Sequence, residues 1–201
     1  MRAVIIGNGE IRDYTYIKSH IQSDDFIICA DGGLRHAKSL GVTPDIAVGD
    51  FDSYAKSEEI ESIVYPSHKD LTDGEIAVDY AIEKGYTDIL LLAMTGTRLD
   101  HTFTNIFQLA KKGNISLIDD NNEVYFIRDT LTFNGRKGKT ISIVPVFSDL
   151  VGVSATGVYY PLDNDTLLFG EGRGNSNIIT DDLCTVSVKG GMGIIFINNG
   201  E

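Results

Sequence analysis

The sequence predicts two regions of different architecture: an α/β N-terminal domain with a doubly wound, mostly parallel sheet over residues 1–120, and an all-β sandwich over residues 121–201. Three observations carry this. Short apolar runs alternate with helical patterns in the first region, as βαβ units require. Those runs lack polar/apolar alternation, which suits strands buried on both faces. Beyond Lys112 no good helical pattern appears, and short strand-like runs recur between turn residues.

In order, the strand candidates of the first region are Ala3–Ile6, Phe26–Ala30, Ile46–Val48, Ser62–Tyr65, Ile89–Met94 and Ile115–Ile118. Helices fall between them. Gly33–Leu40 stops at Gly41. Asp73–Lys84 stops at Gly85 and opens with Thr72-x-x-Glu75, the spacing of a capping box. Leu99–Lys112 stops at Gly113 and places Leu99, Phe103, Ile106, Phe107 and Ala110 on one stripe. In the second region the candidates are Glu123–Arg128, Thr130–Phe133, Thr140–Pro145, Val158–Tyr160, Thr166–Phe169, Leu183–Val188 and Gly193–Ile197. Asn134-Gly135, Asp163-Asn164, Gly172–Gly174 and Lys189–Gly191 supply the turns. The cluster Asp119–Asn122 marks the junction.

Charge narrows the function. The 201-residue chain carries 29 acidic and 17 basic residues, net −12. Residues 1–120 hold 20 acids and 11 bases, net −9; residues 121–201 hold 9 and 6, net −3. A general nucleic-acid binder needs a basic face to neutralise phosphates, and an anionic membrane attracts basic segments, so neither partner is expected. Cys29 and Cys184 sit alone in apolar runs and read as core thiols. The N-terminus does not resemble a signal peptide and no run approaches a membrane span, so a cytoplasmic protein is expected.

The polar residues cluster just after the predicted strands. Gly7-Asn8-Gly9 follows the first, Asp31-Gly32-Gly33 the second, and Gly49-Asp50-Phe51-Asp52-Ser53 the third. His68-Lys69-Asp70 and Thr72-Asp73 follow the fourth, and Thr95-Gly96-Thr97-Arg98-Leu99-Asp100-His101 the fifth. Ligands of open parallel sheets bind outside the carboxyl ends of the strands, so these clusters should converge. Singly, each has an ordinary explanation as a turn or as a first-turn acid. Together, several acids at one edge repel unless cations compensate them. Mg²⁺ with a polyphosphate does so, with Arg98 as a phosphate clamp and glycine turns offering backbone N–H groups. There is no GxxxxGK[ST], and Gly7-x-Gly9 does not complete a GxGxxG because position 12 is Arg. The chemistry indicated is metal-assisted transfer of a phosphate-containing group.

Taken in order, Asp31-Gly32-Gly33, Pro44 through Ser53, Lys69-Asp70-Leu71-Thr72-Asp73 and Gly96-Thr97-Arg98-Leu99-Asp100-His101 with Asn105 resemble the thiamine pyrophosphokinase family. Gly157 through Leu162 and Gly170 through Asn177 resemble its C-terminal signature, so the resemblance spans nearly the whole chain. It implies transfer of the β,γ-diphosphoryl group of ATP to the hydroxyl of thiamine, giving thiamine diphosphate and AMP. It also implies an N-terminal ATP/Mg-binding catalytic domain and a C-terminal thiamine-binding and dimerisation domain, in a homodimer with active sites at the subunit interface.

By that resemblance Asp50, Asp73 and Asp100 hold Mg²⁺. Asp52, Asp70, Asp73, Asp100 and Arg98 form the catalytic set, with Asp52 or Asp70 accepting a hydrogen bond from the thiamine hydroxyl. Asp31, Gly32, Gly33, Thr95 and Arg98 handle ATP, and Tyr159, Ser176 and Asn177 contact thiamine. Many relatives carry Trp in the C-terminal aromatic position. This chain has none, so Tyr159 or Tyr160 must serve there. The competing readings are a pyrophosphokinase for another alcohol such as a hydroxymethylpterin, a metal-dependent phosphohydrolase, and a nucleotide- or thiamine-binding module without turnover.

Overall fold

The first strands are apolar runs with scarcely an exposed residue: Arg2–Ile6 (β1), Phe26–Ala30 (β2), Ile46–Gly49 (β3) and Asp88–Leu92 (β5) each bury every position after the first or throughout. With Glu61–Val64 (β4) and Asn114–Ile118 (β6) they build a parallel sheet in the order β4-β3-β2-β1-β5-β6. A computed structural model supplies these coordinates, which describe residues 1–49, 61–64, 70–111 and 113–199. The chain forms two compact units, Met1–Asp120 and Asn121–Glu201.

Among the described residues four helices accompany the parallel sheet: Tyr14–Ser19 (α1), Gly33–Leu40 (α2), Asp73–Glu83 (α3) and Leu99–Gln108 (α4). α2 ends where Gly41 turns left-handed, at φ 65°. The capping box of α3 forms: Thr72 Oγ1 accepts from the Glu75 N–H, and Glu75 Oε2 accepts from the Thr72 N–H at 2.9 Å. α1 was not expected from the sequence. Its six residues are too few to display a periodic stripe, and Asp13 starts it by capping the Tyr16 N–H at 2.9 Å.

Two expectations in this unit are corrected. β5 stops at Leu92 rather than Met94, because Ala93 takes a left-handed φ of 53° that ends the strand. α4 ends at Gln108, and its apolar stripe does not face the core. Leu99, Phe103 and Phe107 are 67%, 56% and 38% exposed, while polar Gln108 is buried.

The second unit is antiparallel throughout among the described residues, with no helix there. Asn122–Ile127 (β7), Thr130–Asn134 (β8), Thr140–Thr156 (β9), Leu183–Ser187 (β12) and Gly190–Asn198 (β13) run in the order β7-β13-β9-β12-β8. Leu162–Leu167 (β10) and Asn177–Ile178 (β11) also pair with β9. Ile127, Ile141, Val153, Val186 and Ile195 lie in its core. β9 is far longer than the expected Thr140–Pro145. Pro145 and Asp149 read as a stop, yet the strand continues by bending. Phe147 and Gly152 take φ of 66°, and the register slips opposite Gly190 and Met192. Val158–Tyr160 is no strand: only Val158 makes a bridge, to Ile179. β10 begins at Leu162 rather than Thr166. Cys29 and Cys184 are buried free thiols, and burial pushes the Cys29 thiol up to about 12.

Candidate active site

The sheet order reverses between β1 and β5. The chain runs outward from β1 through β2 and β3 to β4, then returns to the other side of β1. Loops leaving the carboxyl ends of β1 and β5 must therefore diverge to opposite sides, which opens a crevice. Here they are held in register by backbone bonds: Gly7 N–H to Leu92 O (2.9 Å), Gly9 N–H to Ala93 O (2.6 Å) and Glu10 N–H to Thr95 O (2.9 Å). That proximity excludes side chains. A Cβ on Gly9 would collide with the Thr95 carbonyl oxygen, and one on Gly33 with the Ile6 carbonyl oxygen. Gly33 thus lets the start of α2 press against the end of β1.

A cleft of about 600 Å³ opens at this reversal. Asp31, Asp73, Thr95 and Arg98, all named from the sequence, line it together, beside Asn8, Glu10, Arg35 and Asn105. Two non-glycine residues on its wall are held left-handed, Asp31 at φ 47° and Ala93 at φ 53°. Such conformations cost about 1–3 kcal/mol each and persist where the surroundings enforce them, often at functional sites. The Asp31 N–H bonds Val48 O at 2.8 Å, so this residue is tied to β3. Asp73, in the first turn of α3, reaches the same place. Its Oδ1 lies 3.5 Å, and the Asp31 Cα 3.2 Å, from where a Cβ on Gly49 would be. The Asp31 backbone and the Asp73 carboxylate therefore both approach the end of β3, one residue before Asp50 in sequence.

Asp50 and Asp52 lie outside the described residues. Among those described, no group of three or more His, Cys, Asp or Glu is placed to hold a metal ion. Asp100 pairs with Arg98 instead: Arg98 Nη2 donates to Oδ2 at 2.6 Å and Nε to Oδ1 at 3.3 Å. The Arg98 guanidinium and the His101 backbone N–H hold the Asp100 carboxyl below its usual range. Asp70 is exposed, and neither it nor Asp100 lines the cleft. Gly32 and Gly33 are buried behind it. The Thr95 hydroxyl donates to Asp119 Oδ2 at 3.0 Å, and Asn105 Nδ2 donates to Met94 O at 2.7 Å.

Arg35 and His36 were missed from sequence. Arg35 lines the cleft from the first turn of α2, with Nη2 donating to Asn8 O at 3.1 Å. Buried His36 spans Gly9 O and the Tyr14 hydroxyl, 2.8 Å from each, and burial lowers its pKa. A donor is required toward the carbonyl, so Nε2 carries the proton and Tyr14 donates to Nδ1. Residues just past Asp31-Gly32-Gly33, in the first turn of the following helix, were the available signal.

In the second unit, Tyr159, Ser176 and Asn177 come together. Asn177 spans the Tyr160 backbone, its Oδ1 accepting from the N–H at 3.0 Å and its Nδ2 donating to the carbonyl at 2.7 Å. The Tyr159 N–H bonds Ile178 O at 2.8 Å. Tyr159 and Tyr160 meet edge to face at 4.8 Å and are 63% and 67% exposed, so neither is a core residue. Exposed Ser176 is held left-handed at φ 58°, its N–H donating to Ser142 Oγ at 3.0 Å.

Comparison with known proteins agrees with this division. Residues 17–118 match the family model for the thiamin pyrophosphokinase catalytic domain, and residues 128–193 match that for the thiamin pyrophosphokinase vitamin B1 binding domain. A thiamine pyrophosphokinase of Bacillus subtilis (strain 168) is 34% identical over 179 residues, covering 82% of this chain and 83% of its own length. Among solved structures, a Bacillus subtilis thiamine pyrophosphokinase superposes with a TM-score of 0.89 at 26% identity, over 100% of both chains. One from Geobacillus thermodenitrificans gives 0.85 at 26% identity, over 100% of this chain and 99% of its own. The chain therefore belongs to the thiamin pyrophosphokinase family.

Proposed function

We propose that this enzyme transfers the diphosphoryl group of ATP to the hydroxyl of thiamine, releasing AMP, with the nucleotide in the cleft of the first unit and thiamine on the Tyr159–Ser176–Asn177 patch of the second. The observation that carries the reading is the convergence of Asp31, Asp73, Thr95 and Arg98 on one cleft at the reversal of sheet order. Phosphoryl-type transfer asks a protein mainly for an in-line pose and charge compensation. Arg98 stands ready to offset phosphate charge, and its pairing with Asp100 fixes its direction meanwhile. Either Tyr159 or Tyr160 offers an exposed ring face for a cationic heterocycle.

Mg²⁺ suits the Asp73 carboxylate beside Gly49 and the Asp50 that follows it in sequence, since it favours a few carboxylates together with phosphate oxygens and water. In this reading Asp73 and Asp50 hold it, with Asp100 joining when Arg98 turns to phosphate, and the ion supplies charge neutralisation at the phosphates. Asp52 or Asp70 accepts the hydrogen bond of the thiamine hydroxyl. We further propose a homodimer that completes each active site at the subunit interface. The support is the exposed Leu99, Phe103 and Phe107 face of α4, since monomers rarely expose contiguous apolar patches of this kind.

The test is AMP release from ATP with Mg²⁺, comparing thiamine with a hydroxymethylpterin as acceptor. Thiamine-dependent AMP release that stops on chelation with EDTA is expected. Phosphate release without an acceptor, or preference for the pterin, overturns the proposal. Light scattering should give twice the monomer mass of 22.0 kDa.

A further inference from the structure

We infer that Arg35 binds a phosphate oxygen of the nucleotide directly, as a second guanidinium of the cleft beside Arg98; this rests on the nucleotide reading above. Arg35 is oriented, and among the described residues no carboxylate forms an ion pair with it. Its Nη2 donates to Asn8 O at 3.1 Å and approaches Gly9 O at 3.5 Å, which aims the side chain along the cleft wall. A guanidinium has five N–H donors, and these two carbonyls engage only Nη2. Nε and Nη1 find no acceptor among the described residues. Other arginines are differently placed: Arg2 pairs with Asp25 at 2.7 Å, Arg98 with Asp100 at 2.6 Å and Arg173 with Asp165 at 2.8 Å.

Its position in the helix is a second, independent observation. Arg35 stands in the first turn of α2, which contains no acidic residue. There a cation opposes the helix macrodipole, an arrangement unfavourable by roughly 0.3–1 kcal/mol. Helix stability therefore gives no reason for a base here. An anion in the cleft reverses the sign, because it meets both the guanidinium and the positive end of α2. An arginine that only fastened the loop after β1 would need neither its charge nor its open donors.

The test compares wild type, Arg35→Gln and Arg35→Lys by isothermal titration with ATP, AMP and adenosine, alongside steady-state kinetics. In Arg35→Gln, ATP and AMP should bind at least 10-fold more weakly and adenosine less than 2-fold more weakly. The KM for ATP should rise while the KM for thiamine holds, and Arg35→Lys should recover part of the ATP affinity. Equal losses for adenosine and ATP would reduce Arg35 to a loop fastener, and unchanged ATP affinity in Arg35→Gln would remove it from the site. Should wild type bind ATP but transfer nothing to thiamine, the functional reading falls while the titrations still decide Arg35. Failure of wild type to bind ATP at all overturns both.

Discussion

Replacing Glu123 with Gln should be among the most damaging single changes in the second unit that touch no substrate. Glu123 is fully buried on β7, and three side chains donate to it. Lys139 Nζ donates at 2.8 Å, Arg136 Nε lies 2.9 Å from Oε1, and the Tyr125 hydroxyl donates at 2.8 Å. Lys139 also donates to Asn199 Oδ1 at 2.6 Å, so the cluster ties the start of β7, the β8–β9 turn and the C-terminal end of β13 together. Removing one partner of a buried ion pair costs about 3–5 kcal/mol, because the remaining charge is left uncompensated. Arg136 and Lys139 side chains keep 31% and 26% exposure, so water reaches them and the lower end, about 3 kcal/mol, is expected. For a chain of this size that is a fall in Tm of about 6–12 °C. Urea unfolding followed by circular dichroism and tyrosine fluorescence, which no tryptophan masks, reads it directly. Its partners' hydrogen bonds outweigh burial and hold the Glu123 carboxyl below its usual 4.5. Its contribution is thus full above that value and is lost as pH falls through the lower folded-state value. The gap between wild type and variant should be constant near pH 7 and close only below about pH 4.5. A loss under about 1 kcal/mol, or a gap that widens in acid, would refute this account.

Other changes probe the cleft and the patch. Gly33→Ala forces a Cβ toward the Ile6 carbonyl oxygen, so stability should fall by about 1–3 kcal/mol and the KM for ATP should rise, as thermal melts and initial rates will tell. Asp100→Asn should stay folded, since the residue is exposed, yet lose turnover by orders of magnitude; near-normal kcat would exclude it from the metal and phosphate machinery. Ser176→Ala should mainly raise the KM for thiamine, and an unchanged KM would take Ser176 out of the substrate site.

Much of the first unit was legible because its code is local. Consecutive apolar residues such as Ile89 to Leu92 need burial on two faces, and Thr72 with Glu75 specifies its own helix start whatever surrounds it. The placing of Asp31, Asp73, Thr95 and Arg98 after strands already implied a shared edge, since parallel strands present all their carboxyl ends together. Arg35 was not legible, because a basic residue in a helix looks the same from sequence whether it faces water or a cleft. β9 was misread for a related reason. Pro145, Asp149 and Gly152 are local stop signals, and only pairing with β10, β12 and β13 overrides them.

Sequence alone therefore determined the strands and most helices of the first unit, the change to an all-β region after it and the family. Tertiary structure decided what those elements meet. Periodicity placed Leu99, Phe103 and Phe107 on one side of α4, but a helix stripe encodes its own coherence and not its partner, and packing left that side exposed. Strand order likewise depends on which long-range pairings close most favourably, which no local pattern records. The reversal between β1 and β5 creates the cleft, and it exists only once β5 has returned to the side of β1 opposite β2.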